Sequence, residues 1–169
     1  QVSGKDVRRI LHGTTLVTNA IIERKGAKTG LITTAGFEDV LEIGRELRYD
    51  IYDLNIQMPK PLVPRNLRVG VTERVDKKGT IVTDIDKNEL KSSVQKLIDQ
   101  GVEAIAVCYL FGFINPVHEK LTADYIQKYF PEIYVSISSE IMPEIREYER
   151  ASATTMNAYV QPLTHTYLS

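Results

Sequence analysis

The run AIAVCYL at 104–110 constrains the fold of this chain more than any other segment. It has the length of a strand, yet it lacks the polar alternation of a strand with one wet face. A strand that is apolar on both faces must be covered on both, which calls for helices on either side of a largely parallel sheet. The flanks agree. Gly101 ends a preceding helix whose Leu90, Val94, Leu97 and Ile98 share one face, and Asn115-Pro116 opens the next helix, over 117–130, with proline at its first position. Asp86 caps the preceding helix, and Glu89 three residues on predicts a capping box.

The rest of the chain alternates in the same way. Strands are expected over 8–11, 31–34 and 133–137. Thr14 or Thr15 caps a helix reaching about Arg24, with Gly26 as its stop. Gly36 opens a short helix over 37–43. Leu67, Val69 and Val71 alternate with polar residues, and the turn Asp76-Lys77-Lys78-Gly79 returns the chain through Ile81-Val82 as an antiparallel hairpin. A last helix is expected from Glu147 to Val160, before Pro162. The expected class is α/β, with a mixed, parallel-rich sheet and helices on its faces. Residues 1–146 form that unit. Residues 147–169 form a C-terminal helix leading into further structure. The stretch 44–64, with Pro59, Pro61 and Pro64, is a long loop of the functional or interface kind.

Composition narrows the functional classes. The formal net charge is −1 and hydrophobic residues make up 43%. That balance builds no field for nucleic acid, and no apolar run reaches the length of a membrane span. No signal peptide is visible. The single cysteine, Cys108, cannot form an internal disulfide, so a cytoplasmic home is expected, with the thiol buried and inert.

Four segments could carry chemistry. His12-Gly13-Thr14-Thr15 lies where a strand hands over to a helix, and Asn19 is one turn on from Thr15. Free N–H groups and hydroxyls there suit an anion, although simple capping is the commoner use of such residues. Glu42-Ile43-Gly44-Arg45-Glu46 could orient a substrate carboxylate or amide through Arg45, or form a solvated helix end. His118-Glu119 begins a capped helix, with His118 expected to face solvent. His12, His118 and His165 lack ligand spacing, so no metal site is expected. Glu149, Arg150 and Asn157 belong to a charged, then small and polar helix. Too poor in large apolar groups for a core, it reads as a hinge, an interdomain face or part of a cleft.

The blocks ILHGTTLVTNAIIERKGAKTGLITTAGFEDVLEIGRE (10–46), RNLRVGVTERVDKKG (65–79), GVEAIAVCYLFGFINPVHE (101–119) and VSISSEIMPEIREYERASATTMNAYVQP (135–162) occur in an order that resembles the hydantoinase A, 5-oxoprolinase and acetone carboxylase β-subunit family. The resemblance implies part of an actin/Hsp70/sugar-kinase-like, ribonuclease H-like fold. It also implies a subunit that uses ATP and Mg²⁺ to activate a cyclic amide such as hydantoin, N-methylhydantoin or 5-oxoproline by phosphorylation, together with a hydantoinase B-type subunit or domain. Activation of a ketone, as in the acetone carboxylase type, is the alternative. A non-catalytic assembly module, binding a partner through 44–64 and the last helix, is a third reading. His12, Gly13, Thr14, Thr15 and Asn19 match the family's HGTT block, and Glu149, Arg150 and Asn157 its ER…N block. With Arg45 they are the candidates for a substrate or phosphate cleft, and none is assigned as acid, base or nucleophile. The family's Asp-x-Gly-Gly-Thr phosphate hairpin has no counterpart in this sequence, so the chain alone is expected not to turn over ATP.

Overall fold

The structure, a computed structural model, describes residues 13–45, 52, 55 and 58–168. The expected strand at 8–11 and the candidate His12 lie outside these residues, as does most of the segment 46–57. Element order is α1 (Leu16–Ile22), β1 (Thr29–Thr34), α2 (Val40–Ile43), a 3₁₀ turn (Arg65–Leu67), β2 (Arg68–Val71), β3 (Arg74–Val75), β4 (Ile81–Thr83), α3 (Lys87–Asp99), β5 (Ala104–Cys108), α4 (Val117–Tyr129), β6 (Tyr134–Ile137), α5 (Ser138–Ile141) and α6 (Glu147–Leu168).

β1, β2, β5 and β6 form a four-stranded sheet in the order β2-β1-β5-β6, and every pairing in it is parallel. β5 is an interior strand buried along its whole length, as its composition requires. Right-handed crossovers put α3 and α4 on one face, while α6 lies across β5, β6 and β1 on the other, with α1 and α2 against it. The main core is an apolar cluster running through both layers, including Leu31, Ile32, Val94, Leu97, Ile105 and Ile126, and a smaller cluster seats α1 on α6 through Ala20, Tyr159 and Val160.

The antiparallel pair forms a ribbon of its own. β3 and β4 pair with each other, whereas β2 joins the parallel sheet beside β1. The turn between them is as expected: Asp76 Oδ1 accepts from Lys78 N and Thr80 N, each at 2.8 Å, and Gly79 has φ +82°. Asn115 Nδ2 donates to Gly79 O at 2.8 Å and pins the ribbon to the start of α4.

Several local expectations are corrected. α1 ends at Ile22, and Arg24, not Gly26, takes the left-handed conformation beyond it (φ 56°). Gly26 serves close packing instead, since a Cβ there would stand 2.1 Å from the Tyr159 ring. Asp86 caps α3 through Asn88 N and Glu89 N, but the Glu89 carboxylate reaches away from the box to accept from Thr72 N at 2.8 Å. α6 does not stop before Pro162 but continues to Leu168. Proline costs a helix its N–H and crowds the previous turn. Here the hydroxyl of Thr164 donates to the carbonyls of Val160 and Gln161, supplying donors along the turn that holds the proline. Nor is α6 too polar for the interior: Ala151, Thr154, Thr155 and Ala158 are buried against the sheet. Their small size lets the helix approach closely, and Thr154 satisfies its hydroxyl on Arg150 O at 2.6 Å.

Candidate functional site

In parallel α/β sheets, ligands gather at the carboxyl ends of the strands. At that edge α2 follows β1, α4 follows β5, and α6 begins after β6 and α5. Two linked features are found there, an open cleft and a buried polar network.

The cleft lies between α2, residues 58–61 and the first turn of α6. One lobe, about 500 Å³, is lined by Leu41, Glu42, Arg45, Met58, Lys60 and Tyr148, among others. A second, about 490 Å³, is lined by Phe37, Val40 and Ile43 together with Arg45, Arg146 and Glu149. Gly44, at φ +59°, turns the chain out of α2. Arg45 then reaches Glu149, and its Nε donates to Glu149 Oε1 at 2.8 Å across 104 residues of sequence. Arg146 Nη1 stands 3.6 Å from the same oxygen. Partial burial pushes the Glu149 carboxyl up, but the backbone N–H at the helix start, Arg45 and Arg146 together outweigh it. The carboxyl is held below its ordinary value. Among the described residues Arg45 is engaged through Nε, and its outer N–H groups line the cleft beside Phe37, Val40 and Ile43. That combination suits a small planar molecule with a carboxylate or amide oxygen and an apolar ring.

Behind the cleft, Arg150 and Glu119 are fully buried and paired at 3.3 Å. Arg150 Nη2 also donates to Tyr109 O at 2.8 Å and to the Ser138 hydroxyl. Glu119 accepts from Tyr109 N at 3.0 Å, the Ser138 hydroxyl at 2.5 Å and Ser139 N at 2.8 Å. One carboxylate thus ties the ends of β5 and β6 to α6. The neighbouring His118, expected to face solvent, is only 2% exposed. Its Nδ1 lies 2.7 Å from Glu73 Oε2, and the Thr34 hydroxyl donates to the same carboxylate. The first turn of α4 points inward because strand ends and buried carboxylates on that side can satisfy it.

The profile of the hydantoinase/oxoprolinase N-terminal region matches residues 1–130. The chain belongs to the hydantoinase/oxoprolinase family. It is 34% identical over 160 residues to the caprolactamase subunit alpha of Pseudomonas jessenii, covering 94% of this chain and 23% of that one. The crystal structure of the ATP-dependent caprolactamase from that organism superposes with a TM-score of 0.87, covering 92% of this chain and 23% of that chain. The acetophenone carboxylase gamma subunit of Aromatoleum aromaticum is 33% identical, with 90% of this chain and 22% of that protein covered. 5-oxoprolinase 1 of Arabidopsis thaliana is 31% identical, with 96% and 14% covered. The chain therefore spans less than a quarter of the length of each of these relatives.

In this family member the candidate residues do not form one cluster. Arg45 and Glu149 meet in the cleft, and Arg150 lies just behind it. Gly13, Thr14, Thr15 and Asn19 are exposed at the start of α1, whose Ala20 packs on Tyr159 and Val160 toward the other end of α6. The Thr14 hydroxyl accepts from Leu16 N at 3.2 Å, and Asn19 Nδ2 donates to Thr15 Oγ1 at 3.4 Å, so their visible bonds are local. Asn157 Nδ2 donates to Ser136 Oγ at 2.9 Å and serves the edge strand β6. Tyr148 and Met58 are the cleft residues sequence reasoning missed, and the aromatic beside the Glu149-Arg150 pair was the available signal. Among the described residues no helix is long and apolar enough to cross a membrane.

Proposed function

We propose that this chain is part of a subunit that couples ATP to the opening of a small cyclic amide, with the substrate held in the Arg45–Glu149 cleft. The observation that carries this reading is the Arg45–Glu149 contact. Two segments far apart in sequence meet to fix a guanidinium in a cleft also lined by the apolar Phe37, Val40 and Ile43. Arg45 would orient the amide or carboxylate oxygen, and Glu149 would hold Arg45 in place. The family supports a cyclic amide, since the relatives include a caprolactamase subunit and a 5-oxoprolinase. A hydantoinase B-type subunit or domain is the proposed partner, in keeping with a relative named as one subunit of its enzyme.

The described residues do not by themselves fit a nucleotide as a phosphate cradle. A Cβ at Gly13 would meet nothing within 4 Å, and the Thr14 hydroxyl is already used. No step through ATP is derived from them, and the chain alone is expected not to hydrolyse ATP. Thr15 and Asn19, exposed on one face of α1, are proposed as contributors to a phosphate or substrate site completed by other parts of the full-length subunit.

A ketone-activating reading stands beside the first, because the acetophenone carboxylase subunit matches about as well as the caprolactamase subunit, at 33% against 34%. The test is ADP release by the full-length subunit with its partner, Mg²⁺ and ATP. One arm contains a lactam, hydantoin or 5-oxoproline, and the other a ketone with bicarbonate. Stimulation by the cyclic amide, with KM raised about tenfold or more by Arg45→Ala, supports the first reading. Stimulation only by ketone with bicarbonate replaces it with the second. Unchanged kinetics in Arg45→Ala removes the cleft from either.

A further inference from the structure

Arg68 opens β2, and its side chain is 0% exposed. Its guanidinium is a rigid fork of donors, and here the fork reaches two segments that supply different walls of the cleft. Nε donates to Val63 O at 2.9 Å, just beyond the wall at 58–61. Nη1 donates to Glu38 O at 3.5 Å, ahead of α2, and Nη2 stands 3.5 Å from Glu42 Oε1, within α2. Arg65 pairs with Asp39 beside them, so two arginines three positions apart meet two acids three positions apart.

Stability alone does not account for this arginine. Burial pulls its guanidinium below the ordinary value, and Glu42 and Asp39 oppose that only in part. Nη2 is buried without a hydrogen-bond partner. A buried charge met so loosely returns little of what its desolvation costs. What the fork does supply is geometry. α2 has only four residues, too few for a helix to hold its own position. Gly44 then turns the chain out of α2 to Arg45, so wherever α2 sits, Arg45 follows.

We propose that Arg68 is the positioning residue of the cleft: it ties α2 to the segment ending at Val63 and so sets where Arg45 stands to meet Glu149. Arg68 acts through the walls and not on a ligand. A lysine at this position would keep the charge, but as a single point donor it would hold one segment and release the other. The functional meaning rests on the reading of the cleft given above, whereas the positioning itself can be read without substrate, from the Glu149 carboxyl.

The experiment is carbon NMR titration of the Glu149 carboxyl in three variants of the 169-residue chain. Arg68→Lys should raise the midpoint toward that of Arg45→Gln. Glu42→Ala, at a half-exposed side chain, takes the α2 acid away from the fork. Loss of a negative charge nearby would by itself lower a carboxyl, whereas a loosened α2 raises it, and a rise is expected. Arg65→Gln breaks only the exposed pair with Asp39 and should leave the midpoint in place. In the full-length subunit with its partner, Arg68→Lys should raise KM about fivefold or more, with kcat within about twofold. The proposal is overturned if Arg68→Lys titrates as the parent does, or if Glu42→Ala lowers the midpoint or leaves it unmoved. It is equally overturned if Arg65→Gln raises the midpoint as far as Arg68→Lys. Should Arg68→Lys fail to fold by circular dichroism, Glu42→Ala decides. A raised midpoint with an unchanged KM upholds the positioning of Arg45 and overturns the reading of the cleft as the substrate site.

Discussion

Gly112 sits directly over Glu119: a Cβ on it would stand 2.5 Å from Glu119 Oε1 and 3.0 Å from Arg150 Nη2. The glycine makes room for a buried ion pair whose members are fixed by strand ends and so cannot move aside cheaply. Gly112→Ala should therefore lower stability by about 1–3 kcal/mol through overpacking. Glu119→Gln should cost more, about 3–5 kcal/mol, because it strands the Arg150 charge in the interior. Urea unfolding of both variants checks the order. A Glu119→Gln loss no larger than that of Gly112→Ala would show that the pair contributes little.

The Arg45–Glu149 contact predicts a pH dependence with a definite sign. The Glu149 carboxyl lies below its ordinary 4.5 in the folded chain. A depressed carboxyl stabilises the fold above its unfolded value, and the contribution is lost as pH falls through the folded value. The contact should thus persist at neutral pH and break only under acid, on the low side of the usual glutamate range. Carbon NMR titration of the Glu149 carboxyl reads it directly. Arg45→Gln should move the midpoint upward, and an unmoved midpoint would remove Arg45 as a cause.

Cys108 should be unreactive. Burial pushes its thiol up to about 11, and the nearby Arg150 offsets this only in part. At mildly alkaline pH, labelling by a neutral thiol reagent should run far slower in the native chain than in urea. Equal rates would mean that β5 opens readily.

Gly26→Ala tests the seat of α1. The added methyl would collide with the Tyr159 ring, and Ala27 N donates to Tyr159 O at 2.9 Å right beside it. The expected cost is about 1–3 kcal/mol, with protease cleavage appearing first in α1. Wild-type resistance in the variant would count against this packing.

Much of the fold was legible because it rests on short-range patterns. The apolar run at β5, the Asp86 cap and the proline at the start of α4 each state their structure within a few residues. What failed depended on neighbours remote in sequence. Glu89 left its capping box because Thr72 N lay within reach, and His118 turned inward because Glu73, itself held by the Thr34 hydroxyl, met it there. α6 ran on past Pro162, although proline is read locally as a stop. In the candidate site, Arg45 and Glu149 were both singled out, but nothing in either segment says that they touch. Their meeting is set by the crossover from β1 to α2 and by the path from β6 to α6.

The all-parallel sheet also shapes how the chain reaches its native state. No two of its strands can be joined by a tight turn, so each pairing waits for a long excursion of chain to close. Thr33 meets the carbonyl of Cys108 across 75 residues. Loop closure is entropically costly before such contacts repay it, so refolding should be slow for a domain of this size, nearer the millisecond-to-second range than microseconds. Until β1 and β5 find each other, the apolar strand 104–108 is an open edge available to other chains. Yield on refolding should consequently fall as protein concentration rises.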